Sequence, residues 1–326
     1  MLSKLIHLLQ RLPSCGRDFP GNCREFGPKV AALQFWDALI PVGKSKAYIE
    51  ALSAYTIRDL APLTERYARG EFAPHPPKKQ LDKIPVWVCW WQGEEKMPPI
   101  VAACVAKLRE SLPDQAELHI ITFDNLAEYI ELPTYILQKY RDGRITNVHL
   151  TDILRYGLTC RYGGAWIDAT VLLSDRIREK LPDYLTRTYF TQRFESWDCC
   201  PREACRGKWC NFFFMGKADF PLFSYVYDAL FLWWQHHDRL IDYVIVDYVI
   251  WAAYKGVPAI RRIMDALEPG GENMWQLAKR LNDPYEPNSF AALMESNDFF
   301  KLSYKGVLNM TTPDGQKTVY AHILEG

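Results

Sequence analysis

Two β-branched and aromatic runs flanking a helix-length segment constrain this chain more than any other feature. Ile84-Pro85-Val86-Trp87-Val88-Cys89-Trp90-Trp91 has the pattern of a strand and is ended by Gln92-Gly93. Pro98 and Pro99 then open a segment whose apolar residues Ile100, Val101, Cys104, Val105 and Leu108 recur at helical spacing. Leu118 to Phe123 is a second strand, closed by Asp124-Asn125. A crossover helix of about a dozen residues between two strands makes a βαβ unit, hence a parallel sheet and an α/β fold. Ligands of such sheets bind beyond the carboxyl ends of the strands. Trp90, Trp91 and Gly93 stand at one such end.

The stretch Asn147 to Leu173 reads NVHLTDILRYGLTCRYGGAWIDATVLL. Leu150, Ile153, Leu154, Gly157 and Leu158 follow i, i+3, i+4, i+7, i+8, which predicts a helix with one buried stripe. Asp152 and Arg155, three apart, are neighbours off that stripe. Gly163-Gly164 stops the helix where left-handed backbone angles are needed, and Ala165 to Leu173 resumes as a strand. Asp168 is a lone carboxylate in that apolar strand. Buried without a partner it would be strongly destabilising, so it belongs at a strand end facing solvent, a cation or a hydrogen-bond donor. A conflict of this kind between propensity and polarity marks a functional site.

The first 80 residues differ from the rest. They hold 12 Lys/Arg against 7 Asp/Glu and show helical periodicity at Leu2 to Leu9, Val30 to Ile40 and Tyr48 to Tyr67. Pro74, Pro76 and Pro77 then act as a linker. This predicts an N-terminal helical segment over 1–80 followed by the main domain over 81–326. The first helix, with Leu2, Leu5, Ile6, Leu8 and Leu9 beside Lys4 and Arg11, has the composition to touch an anionic membrane surface through residues 1–12. Across the whole chain 39 Lys/Arg balance 39 Asp/Glu, which excludes the basic footprint of a nucleic-acid binder. There is no apolar run of about 18 residues, and the N-terminus is a poor secretion signal. Nine irregularly spaced cysteines form no disulfide framework. A reducing cytoplasm is the compartment this composition suits.

The order Thr151-Asp152-Ile153-Leu154-Arg155, then Gly163-Gly164-Ala165-Trp166-Ile167-Asp168-Ala169-Thr170, resembles the sugar-transferase group that holds capsular polysaccharide synthesis proteins, glycosyltransferase family 32 and the glucosylating clostridial toxins. The Trp-Ile-Asp-Ala-Thr version, the opening Val86 to Gly93 and the later Ile241 to Tyr248 look like the capsular branch, and the resemblance covers roughly residues 82 to 323. It implies a GT-A-like α/β fold and a cytoplasmic retaining glycosyltransferase, placed there or at the inner face of the membrane. The donor would be a nucleotide diphosphate-sugar and the acceptor a saccharide or lipid-linked saccharide in surface polysaccharide assembly. By position it places Trp90, Trp91 and Gly93 at the donor base, Asp152 and Arg155 at the ribose and sugar, and Asp168 at a Mn²⁺ or Mg²⁺ ion bridging the diphosphate.

In one respect the chain departs from this pattern. The usual Asp-x-Asp offers two carboxylates, whereas Thr170 stands in the second place, and a neutral hydroxyl is a weaker ligand for a hard cation. The resemblance offers His322 as a further ligand, against a plain structural histidine. Lys305 could reach the diphosphate or be a solvated surface lysine. Asp242 and Asp247, five apart in an apolar run, cannot share one helical face; Asp242 is favoured for the acceptor side. Cys199, Cys200, Cys205 and Cys210 lack zinc-site spacing, and Phe194 to Cys210 reads as a loop beside the acceptor. The missing carboxylate keeps a rival open: a catalytically weak nucleotide-sugar-binding or interaction protein.

Overall fold

The computed structural model describes residues 2–39, 44–194, 203–271 and 273–325, with side chains from residue 12 onward. The membrane contact expected of residues 1–12 rests mostly on side chains outside that set, as do Cys199 and Cys200. Four helices lead: α1 (Leu2–Phe26), α2 (Pro28–Leu39), α3 (Lys46–Asp59) and α4 (Ala61–Ala68). The helix read over Tyr48 to Tyr67 divides at Leu60 because Pro62, in the first turn of α4, has no N–H to continue the ladder. The α/β body follows with β1 (Ile84–Cys89), α5 (Pro99–Ser111), β2 (Ala116–Ile121), α6 (Leu126–Tyr129), α7 (Thr134–Arg141) and α8 (Asn147–Tyr162). Then come β3 (Gly164–Ile167), β4 (Val171–Leu173), α9 (Ile177–Thr186), β5 (Tyr189–Thr191) and β6 (Phe213–Gly216). The chain closes with α10 (Pro221–His236), α11 (Ile245–Gly256), α12 (Pro258–Asp265), α13 (Gln276–Lys279), α14 (Pro287–Glu295), β7 (Phe299–Lys301) and α15 (Val319–Glu325).

The main sheet has the order β2-β1-β3-β6-β5. Its β1 runs parallel to both β2 and β3, while β6 is antiparallel to β3 and β5. The apolar run of β1 is explained by its place: Val86, Trp87 and Val88 are 0% exposed, covered on both faces as a central parallel strand must be. This mixed α/β architecture with an N-terminal helical extension is compatible with a GT-A-like fold. Helix α8 packs on β1 and β3, α10 packs on α8, and α3 and α4 pack on α11 and α10. Leu52 and Leu60 are 0% exposed, so the leading helices share one core with the sheet.

Two local readings are corrected. The strand expected over Ala165 to Leu173 is two strands in different sheets, because Asp168 cannot lie in a dry ladder. The chain turns there, with the Val171 N–H donating to the Asp168 carbonyl at 2.9 Å, and β4 pairs antiparallel with β7. Helix α8 is buried beyond one stripe: α10 packs on it as well, and Asp152 and Arg155 are buried together, with Arg155 held against Trp166, Asp168 and Asn211.

Candidate functional site

A cleft of about 620 Å³ opens at the carboxyl end of β3, and Asp152, Arg155, Asp168, Asp247 and Lys301 line it. Its position follows from the strand directions: β3 ends at this edge and the antiparallel β6 begins at it. Asp168 is the first residue past β3, anchored by its N–H to the Phe212 carbonyl at 2.9 Å. Its Oδ1 accepts from the Trp166 indole at 2.9 Å and its Oδ2 from Lys301 Nζ at 2.6 Å. The same ammonium donates to Thr170 Oγ1 at 2.8 Å. Lys301 arrives there because β7 pairs with β4, Val171 opposite Lys301.

Arg155 rises from α8 between the acids. Its guanidinium lies 3.3 Å from Asp152 and 3.6 Å from Asp168, over the Trp166 ring, and donates to the Asn211 carbonyl. The residue is 7% exposed and its Nε has no hydrogen-bond partner. A buried, unsatisfied cationic donor is a place where an anion gains most. Burial alone would raise the Asp168 carboxyl, but Lys301 and then Arg155 hold it below its usual range. Asp152 goes the other way, pushed up to about 6 by burial, with Arg155 only partly offsetting.

Asp247 enters the cleft from the first turn of α11. Its carboxylate accepts from the Trp209 indole at 2.8 Å and from the Asn211 side-chain amide. Asn211 is itself fixed by the Tyr156 hydroxyl at 2.6 Å. Burial pushes Asp247 up to about 7; the Trp209 bond opposes this while Glu203 and Asp152 add to it. Asp242 is placed otherwise. Its side chain is 3% exposed, paired with Lys44 at 2.7 Å and bonded to the Tyr248 hydroxyl at 3.1 Å. It does not line the cleft itself but holds two residues that do, Lys44 and, through its N–H at 3.2 Å, Val244.

The remaining sequence candidates lie around this centre or away from it. Trp91 is buried, stacks on Phe123 at 4.5 Å and donates to Thr151 at 2.9 Å, so it supports α8 beside Asp152 and does not line the cleft. Trp90 sets its ring edge-on to Tyr304 at 5.4 Å, and Gly93 turns the chain with φ +96°. Lys305 is exposed near that tyrosine, outside the cleft. His322 stacks on Tyr285 at 3.8 Å and lines a separate cavity with Leu172 and Met294, so it does not join Asp168 and Thr170. Among the described residues no group of three or more His, Cys, Asp or Glu could hold a metal ion. Cys205 and Cys210, the described pair of the four cysteines, are buried at the cleft wall.

Sequence reasoning missed Lys301, Asn211, Trp209 and Lys44. Only Lys301 left a local trace, as the charge that ends the apolar pair Phe299-Phe300.

The profile of the family described as capsular polysaccharide synthesis protein matches residues 50–323, and the chain belongs to that family. No curated protein and no solved structure matches it.

Proposed function

From that membership we propose a glycosyltransferase that moves a hexosyl group from a nucleoside-diphosphate sugar to a hydroxyl of a saccharide, free or lipid-linked, with retention at the anomeric carbon. The observation that supports this most is the pairing, at the carboxyl edge of β3, of two cations with an unsatisfied buried donor: Lys301 and Arg155. In this reading the bond from the anomeric carbon to the diphosphate breaks with its electron pair on the diphosphate. Preorganised cations in a partly dry cleft then meet the charge that develops. The acceptor oxygen bonds to the anomeric carbon on the face the diphosphate leaves, which keeps the configuration, and gives up its proton. The Asp247 carboxyl, pushed up to about 7, is matched to accepting it near neutral pH. In the same reading Asp152 would take sugar or ribose hydroxyls, and Trp90 with Gly93 the base, beyond the end of β1.

Among the described residues no helix is long and apolar enough to cross a membrane. Contact with a lipid-linked acceptor would fall to the Leu/Ile stripe of residues 1–12 flanked by Lys4 and Arg11. Turnover tests the whole reading. Purified protein incubated with a panel of nucleoside-diphosphate hexoses and a saccharide acceptor should release nucleoside diphosphate from at least one, with the donor's anomeric configuration kept in the product by NMR. No release across the panel would remove the reading; release with inversion would remove retention.

A further inference from the structure

We propose that the Lys301 ammonium is the resident cation of this cleft, standing where a divalent ion would meet the donor's diphosphate, so that donor binding needs no metal. The inference rests on the nucleotide-sugar reading above and concerns which charge that site supplies.

Four observations converge. First, the ammonium's place is built into the fold. Lys301 opposes Val171 in the β4–β7 ladder, its N–H donates to the Met274 carbonyl at 2.8 Å, and the next N–H, of Leu302, donates to the Thr170 carbonyl at 2.8 Å. The backbone that leaves the Asp168–Thr170 turn is therefore tied to the strand that carries the lysine.

Second, an ammonium carries three donors. Two are used, on Asp168 at 2.6 Å and Thr170 at 2.8 Å, while the side chain remains 22% exposed and lines the cleft. The third donor is available to a phosphate oxygen.

Third, the charge matches. One carboxylate and one hydroxyl balance a single positive charge, whereas a hard divalent ion needs carboxylate oxygens free to ligate it. Here Asp168 already gives one oxygen to Lys301 and the other to the Trp166 indole. Thr170, a weak ligand for a metal, is an adequate acceptor for an ammonium. Fourth, Arg155 lies 3.6 Å from the same carboxylate with its Nε unpartnered. A diphosphate would thus meet a lysine point charge and a planar guanidinium together, a pairing suited to phosphate oxygens.

The test is calorimetric titration of the full chain with the diphosphates of uridine, guanosine, cytidine and adenosine, in EDTA and again in Mn²⁺. The expected result is that at least one binds with affinities in the two solutions that agree within about twofold. Lys301→Met should weaken it at least about tenfold in both. The double variant Lys301→Met with Thr170→Asp, which removes the ammonium and supplies the second carboxylate, should bind in Mn²⁺ and lose binding in EDTA. Wild-type binding that disappears in EDTA and returns with Mn²⁺ would overturn the inference and leave the nucleotide-sugar reading standing. So would a folded Lys301→Met with wild-type affinity. If the variants do not fold, the wild-type comparison alone decides. Binding of none of the four in either solution counts against the nucleotide reading itself, and this inference goes with it.

Discussion

Asp168 and Asp247 face the same cleft and are driven apart by their partners. Asp168 has cations beside it and stays ionised; Asp247 has only neutral donors, an indole and an amide, and is pushed up to about 7. Two carboxyls held at different protonation states can divide the work, one managing charge and the other taking a proton. Asp247→Asn should therefore cut turnover roughly 100- to 10,000-fold while nucleotide binding persists. Because a base must be ionised to act, wild-type turnover should rise as pH passes through about 7. A pH-independent rate, or an active Asn variant, would exclude that role. Asp242 is a contrast. It holds Lys44 and Tyr248, so Asp242→Asn should lower stability by about 1–3 kcal/mol in a urea titration, with a smaller loss of turnover than Asp247→Asn. Unchanged stability would contradict that assignment.

At the scale of elements, the junction of α8 with β3 sets the geometry of the site, since it fixes Arg155 on one side and Asp168 on the other. Gly163 and Gly164 have φ of +67° and +84°. A Cβ on Gly164 would stand 2.0 Å from the Pro85 carbonyl oxygen, inside the β1–β3 ladder. Gly164→Ala should cost at least about 3 kcal/mol by strain and clash together, seen as a lowered denaturation midpoint or as insoluble protein. Wild-type stability would show that the ladder tolerates the change.

This junction was legible in the sequence because helix period, glycine pair and apolar strand are all local signals, and so was the βαβ unit over Ile84 to Phe123. The break of the strand at Asp168 was not, for one carboxylate in the apolar run Ala165 to Leu173 fits a strand end as well as a turn, and only the pairing of β4 with β7 separates its halves. Lys301 escaped for the same reason: its partner Asp168 is 133 residues away. The burial of Arg155 depends on Trp166 and on the distant Asn211, which the local stripe of α8 does not reveal. Asp242 and Asp247 look alike in sequence, and only the start of α11 at Ile245 turns one toward Lys44 and the other toward the cleft.

For the whole molecule, the family match beginning at residue 50 takes in most of α3 and all of α4, in keeping with one core that runs from those helices to the sheet. The cleft also leaves a mark on global stability. Asp152 and Asp247 are raised from an ordinary value of 3.8 to about 6 and about 7. They bind protons more tightly in the folded state, so the stability linked to them is full below 3.8 and is lost as pH rises through those raised values. Each contributes about 1.4 kcal/mol per pH unit within its window. The histidines His119, His149 and His322, lowered first by burial, work in the opposite sense as pH falls. The decisive comparison is thus between variants: Asp247→Asn should lose less stability than wild type on going from about pH 5 to pH 8. Parallel curves would mean that Asp247 is not buried as described.

Direct titration of wild type and Arg155→Met with nucleoside-diphosphate sugars tests the central claim, that this cleft is a donor site. The expected result is one-to-one saturation of wild type by at least one sugar nucleotide, weakened at least about tenfold in the variant. Binding by neither protein, or equal binding by both, would contradict it.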